Sequence, residues 1–309
     1  MNRLLPLTAV AALFAVACEP APEEAPAEDY SWVLPGDELL VDLAEARRAV
    51  GDDSELRAQS VQTATDINTF IGDVLDQISY ITDFEPTWAD ETQTEVLWGP
   101  WTDDGVDGAL YVSILTDGSY DWALIGRPEG EGDDAWVPLI AGNVEAGATE
   151  TTGKGSFAVD FDAITALATD GTDATGTFVS TYDVREDSVD AQAVFEGFAE
   201  HAGDPVVDVG YSYGSDQQGG YIDLGYEADI TGSGQEETVI LRTRWVTSGE
   251  GRGDAYFTGG DFGPLVYQAS ECWDEAGVVV FDENNAELTT SGDVNDCVFT
   301  EAEWNEEGV

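Results

Sequence analysis

Residues 220–230, "GYIDLGYEADI", alternate without a slip. Ile222, Leu224, Tyr226, Ala228 and Ile230 fall on one face, and Tyr221, Asp223, Gly225, Glu227 and Asp229 on the other. A period of two held this long is the mark of a strand with one buried face. The same beat recurs in "SYDWALIGR" (119–127), "TGTFVSTYDVRE" (175–186) and "ETVILRTRWV" (237–246). Clusters of turn residues separate these runs: "TDDGVDG", "PEGEGDD", "DQQGG" and "SGEGRGD". About 11 to 13 strands joined mostly by hairpins are expected, an antiparallel meander forming an incomplete barrel or strongly curved sheet. No βαβ repeat is present, which argues against a doubly wound fold.

Upstream of residue 87 the period changes. Asp37 is placed to cap a helix carrying Leu39, Leu40, Leu43, Ala46 and Val50, with Gly51 as its stop. Ser54 is placed to cap a second helix, in which Val61, Ala64, Ile67, Ile71, Val74, Ile78 and Ile81 recur at three- and four-residue steps until Pro86. Such a helix has one apolar stripe and must pack on something. A short helical piece is expected at Ala163–Ala168. The chain therefore divides into residues 1–17, 18–35, a helical segment 36–86 and an antiparallel β-domain 87–309.

The first 17 residues read as a secretory signal: Arg3 supplies the positive charge, and the apolar run from Leu4 to Ala17 is too short to span a bilayer. Ala15-Val16-Ala17-Cys18 resembles a bacterial lipobox, with Ala15 where the motif usually has Leu. The resemblance implies that Cys18 is lipidated and tethers the chain to a membrane. Glu19 in the next position, in place of Asp, implies the outer membrane. A plain signal ending in Ala-x-Ala is the alternative. Residues 19–30, "EPAPEEAPAEDY", have nothing to bury and suit a spacer.

Charge excludes whole classes of partner. The chain carries 64 acids against 10 Lys and Arg, a net charge of −54. No basic patch can be assembled from so few cations, so neither nucleic acid nor an anionic lipid surface suits the body. A saline exterior would screen the repulsion, and a lineage-wide composition bias is the other explanation. With Cys18 lipidated, Cys272 and Cys297 remain as a disulfide pair in an oxidising compartment.

Catalytic motifs fail on context. Gly210-Tyr211-Ser212-Tyr213-Gly214 spells the nucleophile-elbow pattern, yet Ser212 lies on the polar face of a strand with no helix after it. The single histidine, His201, precedes it, in the wrong order for that triad. A lone histidine forms no zinc or iron site, and the acidic turn Asp103–Gly108 departs from the calcium-loop template, so no metal and no cofactor are expected. Arg252-Gly253-Asp254 reads as a hairpin turn. Trp98 and Trp101 read as core residues of a β-domain or as a platform for a ring-shaped ligand. Arg242 and Arg244 share one strand face. Pairing Val239 with Ala228, Leu241 with Tyr226 and Trp245 with Ile222 sets Arg244 opposite Asp223, either as cross-strand charge pairing or as an anion-binding ladder.

The overall plan is similar to that of the periplasmic carrier and receptor proteins of the lipoprotein-localisation pathway, in architecture only. It implies a non-enzymatic, membrane-anchored protein holding an apolar or lipid ligand in the concavity of its sheet. Ile71, Val74 and Ile78 on the helix, with Tyr226 and Trp245 on the sheet, are the expected lining. A cell-surface scaffold or adhesion module without a small-molecule ligand is the alternative reading, and a hydrolase working through carboxylates alone is a third.

Overall fold

A computed structural model describes residues 54–303 apart from 93, 150, 170, 230 and 231. The signal, Cys18, the spacer and the expected helix after Asp37 lie outside the described residues.

Fifteen strands among the described residues form one antiparallel sheet, each paired with its neighbours in sequence. They are β1 (Trp88–Ala89), β2 (Glu95–Asp103), β3 (Val106–Ile114), β4 (Tyr120–Pro128), β5 (Val137–Val144), β6 (Gly153–Asp160), β7 (Thr175–Arg185) and β8 (Ser188–Ala199). The meander continues through β9 (Val207–Asp216), β10 (Gly219–Ala228), β11 (Glu237–Val246), β12 (Gly251–Gly259), β13 (Gly263–Trp273), β14 (Val279–Asn284) and β15 (Thr289–Gly292). The sheet does not close: β1 and β15 are its edges. Both are short, two and four residues, which limits the unpaired backbone offered to another chain.

Helix α1 (Glu55–Thr82) lies across the apolar face. Its start follows from Ser54, whose Oγ accepts from Arg57 N at 3.0 Å, satisfying one of the orphan amides of the first turn. The Ser54 hydroxyl and the Leu56 amide both donate to Glu271 of β13, at 2.5 and 3.0 Å. A carboxylate at a helix N-terminus also meets the positive end of the helix dipole. At the other end, Trp98 Nε1 of β2 donates to Phe84 O at 2.8 Å, just past the helix. One helix thus spans from β13 to β2. Gly253 of β12 permits the close approach near its start, because a Cβ there would sit 2.8 Å from Leu56 Cβ.

The expected stripe is present with one error and one omission. Ala64, Ile67, Ile71, Val74 and Ile78 are buried. Val61 is exposed: it lies outside the arc that the sheet covers. Phe70, absent from the expected stripe, is fully buried, three residues from Ile67 and four from Val74. The second helix, α2 (Phe161–Leu167), is capped by Asp160, whose carboxylate accepts from Ala163 N at 2.8 Å.

Two other expectations need correction. The β10–β11 register is displaced by two residues: Tyr226 pairs with Val239, Leu224 with Leu241, Gly220 with Trp245, and Asp223 with Arg242. The connection is longer than the Gly232–Gln235 turn assumed, because Asp229 gathers the amides of Gly232, Ser233 and Gly234 on its carboxylate. An even displacement keeps every side chain on its face, so the facial assignment survives. Arg252-Gly253-Asp254 is also no turn. It lies inside β12, and the bend comes earlier, closed by Val246 N to Glu250 O at 3.0 Å.

Candidate functional site

The two faces of the sheet differ in kind. On the concave side, Phe70 of α1 stands among Phe178 of β7, Phe195 of β8 and Phe161 of α2, with ring centroids 4.7, 5.6 and 6.0 Å away. Ile71, Val74 and Ile78 belong to the same continuous core, as does Trp245. Tyr226 does not: it is half-buried beside a small second cluster of Leu56, Leu224, Leu241 and Ala255 near the start of α1. The five expected lining residues are therefore brought to one face of the sheet but not to one chamber. Where Trp245 and Thr243 meet Arg57 and Ser60, the crevice measures about 20 Å³. That admits a single water and no acyl chain.

Burial acts on several titratable groups of this core. Burial pushes the phenols of Tyr120, Tyr182 and Tyr211 above their ordinary range. Ser60 Oγ shares a 2.5 Å hydrogen bond with Thr243 Oγ1, linking α1 to β11. Burial also raises the Glu271 carboxyl, opposed by the bonds from Ser54 and Leu56.

The convex side carries a row of polar residues in register across the strands: Gln192, Ser212, Asp223, Arg242, Asp254, Ser270 and Glu283. Arg244 and Arg252 stand side by side in the adjacent row. Residues 293–303 cross over this region as a strap. Cys297 of the strap is bridged to Cys272 of β13, with Cα atoms 5.6 Å apart, as the cysteine count predicts. Arg252 Nη1 donates to Phe299 O at 3.2 Å, and Arg244 Nη2 to Glu301 O at 2.8 Å. Arg244 Nη1 meets Glu303 at 2.6 Å, and Glu303 N donates to Asp254 Oδ2 at 3.1 Å. Beneath the strap, Arg252 Nε donates to Asp254 Oδ1 at 2.8 Å, and Ser270 Oγ donates to the same oxygen at 2.6 Å.

Of the two readings of Arg242 and Arg244, this geometry builds charge pairing. Arg242 lies opposite Asp223, its Nε 3.9 Å from Oδ1, and the strap's own carbonyls and carboxylate occupy Arg244 and Arg252. Asp223 is pushed up to about 6, mainly by burial, with Arg242 pulling the other way. Sequence reasoning missed Arg252 and Asp254, having placed them in a turn. The strict alternation in "GRGDAYFTGG" (251–260), small or apolar at 251, 253, 255 and 257, was the available signal.

The remaining motif residues take ordinary places. Ser212 lies mid-strand in β9, opposite Asp223 on one side and Gln192 on the other. His201 is exposed in a turn and bonded to Asp173 at 3.0 Å, a contact that raises its pKa. Asp107 of the acidic turn accepts from Thr102 at 2.7 Å and from Arg127 at 3.1 Å. Trp98 is a core residue. Among the described residues no group of three or more metal-ligating side chains converges. No family model, curated protein or solved structure matches the chain.

Proposed function

We propose that the protein is an exported, lipid-tethered module that works by non-covalent binding at its surface, without catalysis, and that its concave face is structural. The observation that carries this reading is the seating of α1: Phe70, Ile71, Val74 and Ile78 occupy the concavity in which a carrier would hold its ligand. Tethering rests on Ala15-Val16-Ala17-Cys18 and the spacer behind it. The carboxylates speak against hydrolysis. Asp223 and Glu271, both raised by burial, sit on opposite faces of the sheet and form no acid–base pair.

A second reading, an apolar ligand with a polar head lodged between α1 and the sheet, is favoured by one feature. Tyr182 Oη, Tyr211 Oη and Trp122 Nε1 are buried on the concave side with no hydrogen-bond partner among the described residues. Buried donors of this kind are normally satisfied, and an ordered water or a ligand head would each do so.

The test is native mass spectrometry of the protein extracted from its own membranes, alongside fractionation of Cys18→Ser. The expected result is a mass carrying only the covalent lipid, and a Cys18→Ser chain that no longer sediments with outer membrane. A stoichiometric second lipid would overturn the structural role of the concave face. A wild-type chain that stays soluble would overturn the tether.

A further inference from the structure

On the convex side, away from the strap, the surface departs from the rest of the molecule. Where 64 acids decorate the chain, one row across β5, β6, β7 and β8 has an uncharged floor: Asn143, Ser156, Thr181 and Gln192, in register. Asn143 Nδ2 donates to Ser156 Oγ at 3.0 Å, which orders the start of the row. The row floors an open groove of about 550 Å³. That is the size of a small-molecule site.

The rim is charged, and each cation there is paired with acids. Lys154, the only lysine, pairs with Glu145 at 3.0 Å. Arg185 bonds both Asp183 and Asp190. At the far end stands Tyr221 of β10. Its register partner on β9 is Gly214, and the ring edge occupies the place a side chain would take there: a Cβ on Gly214 would fall 2.3 Å from Tyr221 Cε1. The ring is thereby laid down against the sheet, while the residue remains 37% exposed at the end of the groove.

We infer that this groove binds a neutral saccharide, with Tyr221 as the stacking platform and Asn143, Ser156, Thr181 and Gln192 as hydrogen-bonding partners. The inference rests on the surface-binding reading above. Sugar hydroxyls both donate and accept, and so do amide and hydroxyl side chains, whereas a carboxylate only accepts. A planar ring with one face open suits the C–H face of a pyranose, for which an amphipathic aromatic is the fitting surface. Anionic ligands are disfavoured by the acidic surroundings, and apolar ones by the amide and hydroxyl side chains of Asn143, Ser156, Thr181 and Gln192 along the floor.

The experiment uses the full lipidated chain in detergent micelles. It is run through native gels containing glycogen, barley β-glucan, galactomannan or the anionic polymer alginate, and retarding polymers are followed by titration of the matching hexasaccharide. At least one neutral polysaccharide should retard the chain. Tyr221→Ala should weaken the hexasaccharide at least tenfold and Gln192→Ala at least threefold, each with an unchanged melting midpoint. Retardation by alginate alone, no retardation at all, or Tyr221→Ala binding like the wild type would each overturn the saccharide site. A Gln192→Ala chain binding at full strength would overturn the role of the floor. Shortened products in the retarding gel would overturn the non-enzymatic reading and leave the binding site standing. A second lipid in the native mass spectrum overturns only the structural concave face, so the two proposals fail separately.

Discussion

Truncating Phe70 to Ala separates a helix that is core from a helix that is a lid. Phe70 is fully buried, with three phenylalanine rings within 6.0 Å of its own. Its neighbours come from β7, β8 and α2, so they are held from several directions and can collapse only partly into the space left behind. Under those conditions a Phe→Ala change costs about 3–5 kcal/mol, the lost transfer energy plus the cavity. In a body of this size each kcal/mol moves the melting midpoint by about 2–4 °C, so a fall of about 10 °C is expected. The assay is equilibrium urea unfolding followed by tryptophan fluorescence, with Phe70→Leu as a control that retains most of the volume and loses less than half as much. An unchanged m-value would show that stability moved and not the extent of unfolding. A lid over a ligand chamber behaves otherwise: truncation would cost under about 1 kcal/mol, as a weakly packed site does, and would increase uptake of a fluorescent fatty-acid probe. That pair of results would refute α1 as the filling of the sheet.

Three further outcomes follow from the convex face. Asp254→Ala strands the Arg252 guanidinium, 2% exposed, without its carboxylate; a loss of about 3–5 kcal/mol is expected in urea unfolding, and the joint change Arg252→Met with Asp254→Leu should recover most of it. Cys272→Ser with Cys297→Ser frees a loop of 25 residues; about 3.5 kcal/mol should be lost, with faster hydrogen exchange at the Glu303 amide, and retained protection there would mean the arginines hold the strap unaided. For Asp223 the folded carboxyl titrates at about 6 against an ordinary 3.8. Between those values the folded chain binds more protons than the unfolded one, so this group's contribution to stability falls as pH rises through the window and is level above it. Asp223→Asn should flatten that part of the melting-midpoint profile, and a slope equal to the wild type's would place the proton elsewhere.

The sheet was legible in the sequence because a period of two is a local property, repeated in nearly every strand. Helix α1 was legible for the same reason, down to Ser54 as its cap. Register was not. It depends on how many residues a turn consumes, and the carboxylate of Asp229 set that length by collecting three amides. The buried Arg252–Asp254 pair was hidden by composition, since Gly and Asp beside Arg look like a turn wherever they occur. What buries the pair is the strap, which lies some 40 residues further on and carries no periodic signal. The groove on the convex side was missed because its floor residues, one from each of four strands, and Tyr221 of β10 come together only once the register is known.

Glycine and the aromatics looked like separate enrichments in the sequence, and they are one device. Trp122 is the register partner of Gly142, Tyr182 of Gly155, Trp245 of Gly220 and Trp273 of Gly251, all on the concave face. At each of these glycines a Cβ would come within 2.8 Å of the partner's ring or hydroxyl. Glycine weakens a strand by itself, but an aromatic ring laid across it restores the lost packing area. Rings that lie down in this way thin the layer of side chains above the strands. A curved sheet with upright aromatics would fill its own concavity. With the rings laid over glycines, room remains for a helix some 10 Å across, and the single apolar stripe of α1 is what the remaining space fits.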